Sequence, residues 1–319
     1  MVKCSFCNRR AVYVSKTSGK AYCEKHFLEY FDRKVRRTIR KYRMLTGHEH
    51  IIIAVSGGKD SLSLIHYFSN LAKNVPGWKI SALLINEGIK GYRDEAIKDF
   101  LEVVEELKVD YKIVSFKEEI GLTLDELVEK SKKLKLPYLP CSYCGVFRRY
   151  LLNKYARIMG GTVLATAHNL DDIIQTFLIN VMKNDWNKII RLTPVSRTGL
   201  HAKLVKRIKP FYEILEKETT LYAILNNIYP KHTSQCPYAV LSSRWHLRHF
   251  LNKLEEMNPG TKYSTLNSLL HVLETYSAKE NVEQIGSCKI CGEPSSHEIC
   301  RACFFKMKLG LLNSQDFNG

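Results

Sequence analysis

Residues 51–72 constrain the fold more tightly than any other part of the chain. IIIAV (51–55) is a short β-branched run that reads as a buried strand, and Ser56-Gly57-Gly58-Lys59-Asp60-Ser61 follows it directly. An apolar-periodic helix then runs to about Ala72. The glycine pair lets the backbone turn tightly and approach an anion, while the first turn of the helix offers it unpaired N–H groups. The unit then repeats. ISALLIN (80–86) predicts a second strand and Glu95–Leu107 a helix; YKIVSF (111–116) predicts a third strand, followed by a helix over about Leu122–Lys133. A helix over Gly145–Met159 leads to a fourth strand, TVLATA (162–167), and Leu170 opens a further helix. Strands apolar on both faces, alternating with helices, predict an α/β fold with a doubly wound parallel sheet.

Ligands of such sheets bind beyond the carboxyl ends of the strands. SGGKDS lies there, and so does Ala167-His168-Asn169-Leu170-Asp171-Asp172. The first is neither the G-x-x-x-x-G-K-[ST] phosphate loop nor the G-x-G-x-x-G dinucleotide turn. Taken alone it could be no more than a helix cap. The paired acids of the second suit a helix N-terminus and could also hold magnesium.

Ten cysteines carry the next constraint, since eight of them stand in C-x-x-C pairs. That is the spacing of metal and redox sites rather than of disulfide staples, so a reducing, cytoplasmic compartment is expected. Cys4, Cys7, Cys23 and His26 form one four-ligand set, and Cys288, Cys291, Cys300 and Cys303 another. Each suits tetrahedral zinc, whose binding would supply the folding energy that so short a segment lacks. The bland alternative is that these cysteines are small buried hydrophobes. Three thiols remain: Cys141 and Cys144 in PCSYCG, taken as a loop opening a helix, and Cys236 in QCPYA. They could hold a third zinc with His168 or His232 as fourth ligand, form a disulfide or persulfide pair, or bind an iron–sulfur cluster with one iron open.

Charge points to the partner. Lysines and arginines exceed acids by 49 to 32, a formal charge of +17, which favours a polyanion and nucleic acid before membrane. No run of eighteen apolar residues predicts a membrane span, and MVKCSFCNRR does not read as a secretory signal. Arg33–Arg43 carries seven cations and no acid, and is either a solvated helix face or a phosphate-contacting arm. A second such stretch, Trp186–Tyr212, places Lys188, Arg191, Arg197, Lys203, Lys206, Arg207 and Lys209 on the expected RNA face.

The motifs together resemble a known family. SGGKDS is similar to the pyrophosphate loop (PP-loop) of ATP pyrophosphatases, and AHNLDD to the G-H-N-x-D-D segment of RNA-thiolating members, with Ala167 for glycine. With CSYCG-x-x-R-R, a later CPYA and two flanking knuckles, the whole chain resembles the TtuA type of the TtcA/TtuA group. That resemblance implies a tRNA sulfurtransferase that adenylates a uridine oxygen with ATP, releases pyrophosphate and substitutes sulfur. It implies ATP contacts from Ala54, Ser56, Gly57, Gly58, Lys59, Asp60, Ser61, Arg148, Ala167 and Asp172. Lys59 and Arg148 would offset developing charge, and Asp60 and Asp172 would position Mg2+ or substrate. Cys141, Cys144 and Cys236 would hold a [4Fe–4S] cluster, and a ubiquitin-like carrier with a C-terminal thiocarboxylate would deliver sulfur. Arg148 stands where a relative has lysine, which keeps the charge but argues against proton transfer.

KRIKPFYEILEKET, CPYA and NPGTKY look more like the uridine-54 type than the wobble uridine-34 type. The expected parts are a zinc module (1–26), a basic linker helix (27–49), the PP-loop domain (50–212), a helical extension with Cys236 (213–280) and a second zinc module with its tail (281–319). A homodimer is one assembly open to such a chain. Two rival readings are a PP-loop amide or NAD synthetase, which needs neither the spare thiols nor the charge, and a non-catalytic zinc-finger RNA-binding protein, which leaves SGGKDS and AHNLDD unused.

Overall fold

The computed structural model describes residues 2–196, 199–232, 235–239, 244–277 and 285–312. Arg197 of the second basic stretch, the expected boundary at 280/281 and the tail from 313 lie outside the described residues. The chain opens with a small hairpin, β1 (Tyr13–Val14) and β2 (Ala21–Tyr22), then α1 (Glu24–Lys41). Next come β3 (Glu49–Val55), α2 (Lys59–Ala72), β4 (Trp78–Asn86), α3 (Arg93–Leu107), β5 (Asp110–Ser115), α4 (Phe116–Ile120), α5 (Leu124–Lys133) and α6 (Pro140–Ile158). They lead to β6 (Val163–Thr166), α7 (Leu170–Met182), α8 (Trp186–Ile189), β7 (Lys206–Ile208) and α9 (Glu216–Leu225). α10 (Arg244–Met257), α11 (Thr261–Ser277), a hairpin of β8 (Gly286–Ser287) and β9 (Pro294–Ser295), and α12 (Arg301–Lys308) complete it.

The five-stranded sheet has the order β5-β4-β3-β6-β7, with every neighbouring pair parallel. This is the doubly wound topology expected from the sequence. The order reverses between β3 and β6, whose register pairs Ala54 with Thr166. The two polar loops that follow these strands therefore leave the sheet side by side, at the point where such folds bind ligands.

Each face of the sheet has its own core. Ile51, Ile53 and Val55 pack with Leu62, Leu64 and Ile65 of α2 and with Phe27 and Phe31 of α1. Ile52 and Leu164 face the other way, onto Tyr143, Phe147 and Leu151 of α6. Each terminal knuckle joins one of these cores: Tyr13 and Tyr22 belong to the first, and Cys288, Cys303 and Phe305 to the second. Local capping sets the helix ends nearest the site. Asn169 and Asp172 form a reciprocal capping box on α7, and Pro140 occupies the first turn of α6, where its missing N–H costs nothing.

Three expectations change. α6 begins at Pro140 rather than Gly145, so Cys141 and Cys144 lie within its first turns and not in a preceding loop. β7 was not foreseen in the basic stretch, and it turns Arg207 toward the sheet's ligand edge instead of an outer face. Lys209 of the same stretch is half-buried, with its ammonium donating to the carbonyl of Thr193. In the first basic run, Lys34 is buried and pairs at 2.5 Å with Glu218, which also accepts from Tyr13 and Tyr30. Arg33, Arg36, Arg37 and Arg40 remain exposed along that helix.

Candidate active site

The loop after β3 is shaped for an anion. Gly57 has φ +80°, and a Cβ there would run into the backbone of Ala96, with the carbonyl carbon only 2.8 Å away. Ser61 Oγ accepts from the Ser56 N–H at 3.0 Å and donates to the Gly58 carbonyl at 2.9 Å, closing the turn on itself. The Ser56 carbonyl accepts from Arg93 Nη1 at 2.7 Å, and Arg93 in turn pairs at 2.5 Å with the buried Glu87. Lys59 opens α2, but its ammonium donates to Asp60 Oδ2 at 2.8 Å and to Glu216 Oε1 at 3.0 Å.

A cavity of about 340 Å³ lies over the β3/β6 switch. Its walls come from Ala54, Ser56, Gly58, Asp60 and Ser61, from Glu87 at the end of β4, and from Gly145, Arg148 and Arg149 of α6. Thr166, Ala167, His168 and Asp172 close the β6 side, with Arg207 beside them. Of the expected nucleotide contacts, Gly57 and Lys59 are not among the lining residues.

Burial first, and neighbouring charge second, moves the titrations in the cavity. His168 stands 3.0 Å from Thr166 Oγ1; burial, then Lys209, Arg244, Arg207 and Arg148, pushes its pKa down to about 3. Burial raises Asp172 to about 6, aided by Asp60 and Glu216 and opposed by Arg244 and the Asn169 N–H. Asp172 Oδ1 accepts from Arg244 Nη1 at 3.1 Å, and Glu216 accepts from Arg248 at 2.8 Å. A divalent cation at Asp172 and Asp60 would therefore replace internal cations rather than fill an unpaired acid cluster.

Arg148 joins the cavity to the spare thiols. Its Nη2 donates to Cys144 Sγ at 3.4 Å, and its Nε lies 3.7 Å from Glu87. Cys141 Sγ is 3.9 Å from the carbonyl of Tyr238, two residues beyond Cys236. Burial raises the Cys141 thiol, and Cys236 raises it further by its charge, so the three cysteines share one neighbourhood.

They do not form a single-ion site. Among the described residues, only the two terminal sets bring all their ligand atoms within 4.8 Å of one another. A tetrahedral zinc with Zn–S near 2.3 Å requires sulfurs about 3.8 Å apart. The terminal sets meet this, with Cys7 and Cys23 at 3.6 Å, Cys4 and His26 at 3.3 Å, and Cys291 and Cys300 at 3.7 Å. The Cys141, Cys144 and Cys236 sulfurs are spread more widely, which suits a cluster of several irons. His232 is bound 3.0 Å from Asp99 and His168 faces Thr166, so neither completes a third zinc site here.

Glu87, Arg93, Glu216, Arg244 and Arg248 shape this site without a role having been assigned to them from the sequence, and Arg149 stood there only as the second arginine of CSYCG-x-x-R-R. Glu87 alone carried a local signal, an acid at the carboxyl end of the second strand.

A phosphate-shaped turn at the switch point of a five-stranded parallel sheet, opening on a cationic cavity, defines a PP-loop nucleotide-binding protein. Residues 28–229 match the PP-loop domain family. A probable sulfurtransferase of Methanocaldococcus jannaschii is 39% identical over 95% of this chain and 87% of its own length. The tRNA-5-methyluridine(54) 2-sulfurtransferase of Pyrococcus horikoshii is 36% identical over 95% and 93%. The solved U34-tRNA thiolase NcsA of Methanococcus maripaludis, with its [4Fe–4S] cluster, superposes with a TM-score of 0.84 and 36% identity, over 98% of both chains. The chain belongs to the PP-loop family and, within it, to the tRNA-thiolating TtcA/TtuA group.

Proposed function

We propose that this protein 2-thiolates tRNA at uridine 54, activating the uracil O2 with ATP and replacing it with sulfur. One observation carries the reading: Arg148 lines the nucleotide cavity and also donates to Cys144, so the activation site and the spare thiols adjoin. A carbonyl oxygen is a poor leaving group. Attack of O2 on the α-phosphate would release pyrophosphate and leave an AMP ester, which a sulfur nucleophile can displace. The loop Ser56–Ser61 would hold the phosphates, with Arg148 offsetting the charge that develops there. Lys59 would act from behind the loop, through Asp60, unless the nucleotide draws it forward. Asp60 and Asp172 would hold Mg2+ in exchange for their present cations. Cys141, Cys144 and Cys236 would hold a [4Fe–4S] cluster, which supplies an open iron for sulfur when bound. Each terminal set would hold one zinc, and a thiocarboxylated ubiquitin-like carrier would bring the sulfur.

Motif likeness to the uridine-54 type supports the choice of target. The equal identity and near-complete superposition with a U34-tRNA thiolase favour uridine 34 as a second reading. Anaerobic protein, unmodified tRNA, ATP and sulfide should yield 2-thiouridine, mapped by mass spectrometry of nuclease fragments. Thiolation confined to the T-loop fragment supports position 54, an anticodon fragment moves the assignment to 34, and no thiolation with either sulfide or a thiocarboxylated carrier refutes the function.

A further inference from the structure

Four arginines, Arg93, Arg148, Arg149 and Arg207, line the cavity against three acids, Asp60, Glu87 and Asp172. Glu87, 1% exposed, serves both Arg93 and Arg148, at 2.5 and 3.7 Å. Arg149 and Arg207 have no ion pair and no side-chain hydrogen bond with any described residue, and Arg207 Nε is wholly buried with no partner. The backbone of Arg207 is fixed where it stands. Its N–H donates to Ser196 Oγ at 2.8 Å and its carbonyl accepts from the Ser196 N–H at 2.8 Å. Its register partner is Leu164, which packs toward α6, so Arg207 projects to the side of the sheet where Arg149 stands. The Arg149 guanidinium lies over Gly145, where a Cβ would come within 3.4 Å of it. Burial, then the charge of Arg149, lowers the Arg207 pKa, so the two guanidiniums are close enough to repel.

A buried guanidinium N–H with no acceptor, as at Arg207 Nε and also at Arg93 Nε, carries a desolvation cost. For Arg207, which faces a second cation, an anion in the cavity would offset that cost. The Ser56–Ser61 loop and this pair line the same cavity, while the loop leads into α2 and the pair stands on the face packed against α6. We propose that Arg149 and Arg207 form a second phosphate subsite, across the cavity from the phosphate loop. It takes one phosphate group through paired guanidinium N–H donors. On the tRNA-thiolation reading, on which this rests, that group is either the RNA phosphodiester beside the target base or the α-phosphate of the nucleotide.

The test uses full-length, cluster-loaded protein carrying Arg207→Gln, titrated with unmodified tRNA over a range of salt and separately with AMP. An RNA phosphate predicts a slope of log K against log salt shallower by about 0.7–0.9, with AMP affinity within about twofold of the parent. A nucleotide phosphate predicts AMP affinity lower by roughly tenfold, with the RNA slope unchanged. Either supports the subsite. If slope and AMP affinity both match the parent, in protein with the parent's circular dichroism and cluster absorbance, the subsite does not exist. Thiolation by the unaltered protein would still support the function. Arg149→Gln, at an exposed position of α6, gives the same readouts should Arg207→Gln fail to fold.

Discussion

Four cations surround His168, and after burial they are the reason its pKa lies near 3. The imidazole is therefore neutral at any working pH, able to accept or donate one hydrogen bond without adding charge beside the phosphates. The sign of its linkage follows. An unfolded histidine titrates near 6.5, so below that pH the unfolded chain takes up a proton that the folded one refuses. The contribution of His168 to stability is present above about pH 6.5 and is lost as pH falls toward 3. Imidazole NMR of the nucleotide-free protein should show His168 unprotonated down to about pH 5, and ATP should move its titration upward by adding negative charge. Titration near 6.5 without nucleotide would mean that the ring of cations does not act on it. His168 sits inside a motif visible in the sequence, and Arg148, Arg207 and Lys209 were singled out there too, but for other roles; that they converge on His168 with Arg244 of α10 was not legible.

At the scale of elements, α6 does the most to build the site. Cys141, Cys144 and Arg148 follow one another at helical spacings of three and four, so one stripe of α6 carries two thiols and the guanidinium between them and the cavity. Cys236 comes from a separate segment, which makes it the sharpest probe of the shared site. Anaerobically purified protein should be brown, with broad absorption near ~400 nm as expected for thiolate-bound iron–sulfur clusters. Cys236→Ala should lose both colour and thiolation. Full colour and activity in that variant would leave Cys141 and Cys144 as a redox pair instead. SGGKDS, AHNLDD and PCSYCG were legible because each compresses its chemistry into a few consecutive residues. Glu216 was not, because its role is to hold Lys59 and Arg248 across 157 and 32 positions of sequence. β7 was not either: a three-residue strand inside a cationic run shows too little alternation to distinguish it from a surface loop.

For the molecule as a whole, two cysteine-rich knuckles complete two opposite cores. Folding the second knuckle buries Phe305 against Tyr143 and Phe147 of α6, at ring-centroid distances of 4.7 and 6.2 Å. Removing the zinc proposed for it should therefore weaken the face of the sheet on which α6 packs. Elemental analysis should give about two zinc per chain. Cys303→Ser should reduce that to about one and lower Tm by roughly 5 °C or more. Retention of both zincs and of the parental Tm would show that the set is not a ligand site.

The chain is made in order, so α6 leaves the ribosome long before α12. During that interval Tyr143 and Phe147 lack Phe305 and keep only earlier partners such as Ile52, Phe116 and Ser131, while the opposite face still awaits Leu251 of α10 and Leu266 and Leu269 of α11. The nascent protein is thus a half-finished sandwich, in which the side packed against α6 is, among the described residues, the last to receive a helix. A chain starved of zinc should therefore keep the Phe305 side of Tyr143 and Phe147 open to solvent after the sheet has formed, which faster amide hydrogen exchange in α6 of the metal-free protein would register.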